Sequence, residues 1–353
     1  MSLDMTTDVV ELTRQLVDIE SVSRNEQAIA DAVEAVLVGV PHLQVTRVGH
    51  SIVARTELGR PDRVVIAGHL DTVPLNANLP ARLEDGVLHG LGSVDMKGGV
   101  AVALRIATTL AEPVRDVTYV FYEAEEIDAE ANGLRHLSLS HPELLGADFA
   151  ILMEPSNAGV EAGCQGTMRV EVRTTGERSH SARAWMGVNA IHAAAPILAK
   201  LQDYTPRMPV IDGLEYHEGL NAVFVSGGVA GNVLPDECVV TVNYRFAPDR
   251  AEAEAEAFLR DFFDGYDVTV TDTSPGALPG LSVPAAKAFI DAVGGVAKPK
   301  FGWTDVARFS ALGVPAVNFG PGDPLLAHKQ EEHVPVEQIV RCEEQLRAWL
   351  EAR

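Results

Sequence analysis

The chain has 353 residues, which at roughly 150 residues per domain leads one to expect about two domains. Hydrophobic residues make up 46% and charged residues 22%, a balance that supplies a sizeable core and excludes an intrinsically disordered chain. Set against 50 Asp and Glu, 28 Lys and Arg leave a net charge of −22, which argues against nucleic acid backbones or anionic membrane surfaces as partners. Val9, Leu12, Leu16 and Ile19 recur at three- and four-residue steps and predict a first helix. Ile29, Val33, Val36 and Leu37 predict a second, with Asn25 as its cap. Strands are predicted at 44–48, 51–56 and 63–67, a helix at 97–110, and strands at 117–122 and 149–153 around an acidic helix or loop. Alternating strands and helices imply a doubly wound α/β domain with a largely parallel sheet, whose ligand sites lie beyond the strand C-termini.

The middle of the chain reads differently. A strand at 168–174, a helix at 188–202, strands at 222–226 and 237–246, a helix at 250–263 and a strand at 266–271 give βαββαβ, the order of a ferredoxin-like domain. The α/β alternation then resumes with a helix at 284–293, a strand at 315–319 and a closing helix at 336–350. Residues 1–164 and 276–353 are therefore expected to form one catalytic α/β domain, interrupted by an inserted domain at 165–275. Cys164, Cys238 and Cys342 are sparse and lack metal-ligand spacing, which fits buried thiols in a reducing cytoplasm. Asp4, Asp8 and Glu11 replace the cationic patch of a secretory leader, and no run approaches the ~20 apolar residues of a membrane span.

Polar chemistry gathers at the strand ends. Gly68-His69-Leu70-Asp71 directly follows an apolar strand, and in extended geometry His69 and Asp71 project to one side. One imidazole nitrogen could then bond Asp71 while the other faces a metal. Asp95, in Gly92-Ser93-Val94-Asp95-Met96-Lys97-Gly98-Gly99, stands at a helix start, where its ordinary role would be a cap. Glu123, Glu125 and Glu126 crowd the end of the next strand, and such carboxylates repel unless something positive sits among them. Glu154 ends another apolar strand, and His328 lies in a late loop after Gly320–Pro324. Two histidines and four carboxylates suit two first-row divalent ions, with mixed nitrogen and oxygen ligands favouring zinc, or cobalt, over magnesium.

In order and spacing, these motifs resemble the dinuclear zinc amidohydrolases of the M20 peptidase and deacylase family, over nearly the whole chain. The resemblance implies His69 and Glu154 on one metal, Glu126 and His328 on the other, Asp95 between them and Asp71 orienting His69. Glu125 is implied as general base, with Glu123 as the alternative because Ile127-Asp128-Ala129-Glu130 replaces the glycine common after the glutamate pair. His180 matches the family's oxyanion-donating histidine, reaching the site from a partner subunit, and a homodimer through the inserted domain is implied with it. More narrowly, Gly163–Thr167, Ser179–Arg183, Asn243–Phe246 and the run Phe301–His328 resemble the actinobacterial branch that removes succinate from succinylated diaminopimelate.

The substrate expected is thus a small anionic acylated diamino acid. Arg183, Arg245 and Arg308 are candidate carboxylate clamps, since the guanidinium fork meets a carboxylate bidentately. Asn232 and Thr304 match family positions that contact substrate. Each arginine has an ordinary alternative, a surface ion pair among fifty acids. Acyl-ornithine or other acylamino-acid deacylases and dipeptidases share the same ligand set and form the alternative activity. A non-catalytic binding protein on this fold is opposed by the intact ligand set, and neither nucleotide-binding glycine motif follows a strand.

Overall fold

The structure, a computed structural model, describes residues 3–352. The chain divides into two compact units. The first runs to Ala162 and takes in Pro279–Lys298 and the described chain from Asp305 onward; the second comprises Gly163–Leu278 and Pro299–Thr304. Thr304 therefore belongs to the second unit, while Asp305 and Arg308 belong to the first.

The first unit is built on an eight-stranded sheet. Its order is Gln44–Val48, Ser51–Arg55, Asp116–Tyr122, Arg63–His69, Phe149–Leu152, Ala316–Asn318, Val160–Ala162 and Ala297–Pro299. The four strands from Asp116–Tyr122 to Ala316–Asn318 pair in parallel. Asp116–Tyr122 and Phe149–Leu152 are buried throughout and Arg63–His69 at all but its first position, so both faces are covered. That is why these segments read as unbroken apolar runs. On one side Gln44–Val48 and Ser51–Arg55 are antiparallel instead, joined through only Gly49 and His50, and so short a connection makes a hairpin; on the other, Val160–Ala162 runs antiparallel to Ala316–Asn318. Gly49 takes the left-handed conformation that such a turn needs.

Asp8 caps the helix Val9–Val17 through the Glu11 N–H. The next helix, Gln27–Val38, starts from Glu26 and not from Asn25; the Glu26 carboxylate turns back to the Arg24 N–H. Lys97–Thr109 is buried along most of its length. At Gly99 a Cβ would lie 2.2 Å from the Met153 carbonyl oxygen, so glycine is what lets this helix lie against the end of the Phe149–Leu152 strand.

In the second unit, Gly166–Thr175, Gly219–Gly227, Glu237–Phe246 and Asp267–Ser274 form an antiparallel sheet. Gly219–Gly227 lies at one edge, then Glu237–Phe246, Gly166–Thr175 and Asp267–Ser274, the ferredoxin-like arrangement. Alternate residues of the two central strands are buried, Val170, Val172, Val240, Val242 and Phe246 among them, in a core shared with Ile197 and Leu259 of the helices. The helix predicted at 188–202 is broken into Ala190–Ala193 and Ala195–Gln202, because Pro196 lacks the N–H and clashes with the preceding turn. No described helix is long and apolar enough to cross a membrane.

Candidate metal centre

Four sequence-distant segments of the first unit meet at the C-terminal ends of its parallel strands. His69 is the last residue of Arg63–His69, and its Nε2 lies 3.0 Å from Asp95 Oδ1. His328 Nε2 lies 3.4 Å from the other oxygen, Asp95 Oδ2, and 2.9 Å from Glu126 Oε2. Asp95 thus turns one oxygen to each imidazole. One ligand atom each from His69, Asp95 and Glu126 lie within 4.8 Å of one another, close enough to share an ion. Glu154, nearly buried, stands outside that group, just beyond the neighbouring strand Phe149–Leu152. Asp95 does not cap Lys97–Thr109: Met96 holds the cap position, which leaves the Asp95 carboxylate for the cluster.

Asp71 does more than its sequence position suggested. His69 Nδ1 lies 3.0 Å from the Asp71 main-chain oxygen and 3.5 Å from carboxylate Oδ1, so the backbone is the nearer partner. The carboxylate accepts the Ser23 hydroxyl at 2.7 Å and the N–H groups of Glu125 and Glu126 at 3.0 and 3.1 Å. One buried aspartate therefore ties the His69 loop to the glutamate pair. Glu123 turns away: its Oε1 accepts the His50 N–H at 2.9 Å.

The electrostatics follow from this crowding. Burial raises Glu125 well above the usual carboxylate range; His69 opposes the rise, and Asp305, Glu154 and Glu126 add to it. Burial works against the charge on Asp95, yet His328 and His69 hold it well below that range. His69 is buried, which disfavours its cation, but Asp71 and Asp95 reverse this and raise it. His328 is pushed up to about 10 by Asp95 and Glu126. Imidazoles caught between carboxylates, with one carboxylate presenting both oxygens, are a donor set that fits divalent metal.

The remaining candidates lie mostly in the second unit. His180 bridges Val233 in a β-pair, and Ser181 N–H donates to Asn232 O at 2.9 Å, so His180 and Asn232 are neighbours. The Arg183 N–H closes the turn onto His180 O at 2.7 Å. Arg245 is half-buried on Glu237–Phe246, and burial together with nearby Arg169 lowers its guanidinium from the ordinary value. Thr304 is buried, its carbonyl accepting the Cys164 thiol at 3.7 Å. Arg308, in the first unit, pairs with buried Asp305, whose other oxygen accepts Asn132 Nδ2 at 2.9 Å; this is the ion-pair alternative that the sequence left open. Glu332, Lys97 and Ser23 were not singled out from the sequence. For Glu332 the one local signal was the spacing His328-x-x-x-Glu332.

A sheet that gathers imidazoles and carboxylates at its parallel strand ends defines a metal-dependent hydrolase. The chain belongs to peptidase family M20/M25/M40, whose sequence profile matches residues 65–352. It is 55% identical to DapE of Mycobacterium tuberculosis over 351 residues, covering 99% of both chains. It is 48% identical to the succinyl-diaminopimelate desuccinylase of Corynebacterium glutamicum over 359 residues, covering 99% of this chain and 97% of the other. A tripeptidase from Staphylococcus aureus shares the fold with a TM-score of 0.81 at 21% identity, covering 99% of each chain.

Proposed function

We propose that this protein hydrolyses the amide of N-succinyl-LL-2,6-diaminopimelate to succinate and LL-2,6-diaminopimelate, a step of diaminopimelate and lysine synthesis. The near full-length match to desuccinylases supports the substrate. The chemistry rests on one observation, the two Asp95 oxygens directed at His69 and His328. This suits a bridging carboxylate between two divalent ions, zinc with cobalt as the alternative. His69 and Glu154 would hold one ion, Glu126 and His328 the other. Such a pair supplies Lewis acidity, polarising the amide carbonyl and making water acidic enough to attack.

The chain's own groups do the rest. Glu125 is assigned as the base that takes the proton of the attacking water and returns one to the leaving amine. Glu123 is committed to the His50 N–H, and the environment of Glu125 favours holding a proton. Asp71 fixes the His69 ring and the backbone of Glu125 and Glu126. His180 is assigned as oxyanion donor. An arginine cation that is half-buried beside another, as Arg245 is beside Arg169, gains most from an arriving anion, which suits a substrate carboxylate. Asn232, Arg183 and Thr304 accompany it as substrate contacts, whereas Arg308 already has Asp305.

We assign the working form as a homodimer joined through the exposed edge of the inserted unit. The three buried free thiols suit a cytoplasmic setting. The deciding experiment is a metal-reconstituted assay of N-succinyl-LL-2,6-diaminopimelate beside N-acetylornithine. Preference for the succinylated substrate, abolished by chelator, is the expected result. Preference for N-acetylornithine would make the protein a different deacylase of the family, and activity indifferent to chelator would remove the metals from the reaction.

A further inference from the structure

Glu332 lies beside the metal cluster without being one of its ligands, and its bonds are unusual for a surface-loop glutamate. It is 2% exposed, although it follows a polar stretch, His328-Lys329-Gln330-Glu331. Its Oε1 accepts two consecutive backbone N–H groups, Val94 at 2.9 Å and Asp95 at 3.1 Å. Its main-chain oxygen accepts the Gly90 N–H at 3.1 Å, and its own N–H closes a turn onto Lys329 O at 3.2 Å. The chain then enters the strand His333–Pro335, registered against Val87–His89 with His333 opposite His89. One residue thus joins the turn that presents Asp95 to the loop that presents His328. The two ligands are 233 positions apart in sequence, and Glu332 is four residues from one and bonded to the backbone of the other.

We propose that Glu332 is a positioning residue for the metal pair: its carboxylate clasps the Asp95 turn onto the His328 loop, so that Asp95 can present one oxygen to each side. This rests on the two-metal reading above. The physical basis is that a buried N–H left without an acceptor within reach costs the desolvation of that group. Val94 is fully buried, so no water replaces the acceptor once it is removed. A ligand that must bridge two ions tolerates little displacement, and loss of a group that holds a metal ligand in place typically weakens metal binding 10–100-fold.

The test is cobalt titration of the metal-free full chain, followed by calorimetry and by visible absorption, for wild type, Glu332→Ala, Glu332→Gln and Glu332→Asp. Thermal unfolding of each metal-free protein is measured alongside. Glutamine keeps an acceptor oxygen at the same reach; aspartate keeps the charge one methylene short. The expected result is that Glu332→Ala and Glu332→Asp bind the second cobalt at least 10-fold more weakly with an altered spectrum, while Glu332→Gln stays within about threefold of wild type. Should Glu332→Ala fail to fold, the contrast between Gln and Asp decides alone. Wild-type cobalt affinity and spectrum in Glu332→Asp would overturn the clasp, as would equal losses in the Gln and Asp variants. Failure of the wild type itself to bind two cobalt ions would instead refute the two-metal reading.

Discussion

His180 is an exposed histidine whose ring is nonetheless held in one tautomer. Its Nδ1 accepts the Ala182 N–H at 3.1 Å, so in the neutral ring the proton sits on Nε2, and that N–H is free to donate. This is the polarity an oxyanion donor requires. We expect His180→Ala to lower kcat about 100-fold or more with metal content retained, the scale for losing one such donor; unchanged kcat would remove it from the reaction. Asp116 illustrates a carboxylate with a purely structural task. It is buried, which opposes its charge, yet the N–H groups of Leu58 and Arg60 at 2.8 Å each and the Thr56 hydroxyl at 2.9 Å hold its pKa below the ordinary value. A depressed carboxylate pKa gives stability that is present above pH ~4 and lost as pH falls through the folded value. Asp116→Asn sets an amide NH2 against N–H donors and should cost about 1–3 kcal/mol near pH 7. In urea unfolding, its gap from wild type should shrink as pH falls towards about 3. A gap independent of pH would show that the charge of Asp116 contributes nothing.

At the scale of helices and strands, position relative to strand ends made the candidate site legible. His69 ends a buried parallel strand and Glu125, Glu126 and Glu154 follow others, and apolar runs ending in polar residues are visible in a sequence. What holds those side chains in place was not visible. Asp71 reaches Ser23 and Glu125 across 48 and 54 residues, and Glu332 reaches Asp95 across 237; none of these distances leaves a periodicity. The strands Val160–Ala162 and Ala297–Pro299 were missed for a related reason, since each is three residues long and too short to show a pattern. Packing between helix and strand is equally silent in sequence, and Gly99 tests it. A Cβ there would meet Met153 O at 2.2 Å and Met153 Cβ at 2.7 Å, both on the segment that leads into Glu154. Backbone cannot swing aside as a side chain can, so Gly99→Ala must push Lys97–Thr109 off the sheet. A cost of about 1–3 kcal/mol in urea unfolding is expected, together with weaker metal binding as Glu154 shifts. Wild-type values for both would mean the interface is looser than its distances state.

Across the whole molecule, the interruption of one domain by another was legible because the order of helices and strands changes from α/β alternation to βαββαβ and back. The return of Pro299–Thr304 to the inserted unit was not, since six residues carry no such order. The inserted sheet also leaves a strand edge that is unusual for so acidic a chain. Gly219–Gly227 has no charged residue, lies at the edge of its sheet, and exposes Val223, Phe224 and Val225 by 50%, 72% and 52%. Natural edges are normally blunted by charge or proline, because unpaired N–H and C=O groups invite another strand. An apolar edge on a protein of net charge −22 is therefore best accounted for by a matching edge, and a two-fold axis brings the same strand of a second copy antiparallel to it. Phe224→Asp places a carboxylate on each side of that axis, where like charges repel across paired strands. Light scattering should then give about twice 37.8 kDa for the wild type and 37.8 kDa for the variant, with the variant's thermal unfolding otherwise cooperative. A wild type that is monomeric at micromolar concentration, or a variant that remains dimeric, would place the subunit contact elsewhere or abolish it.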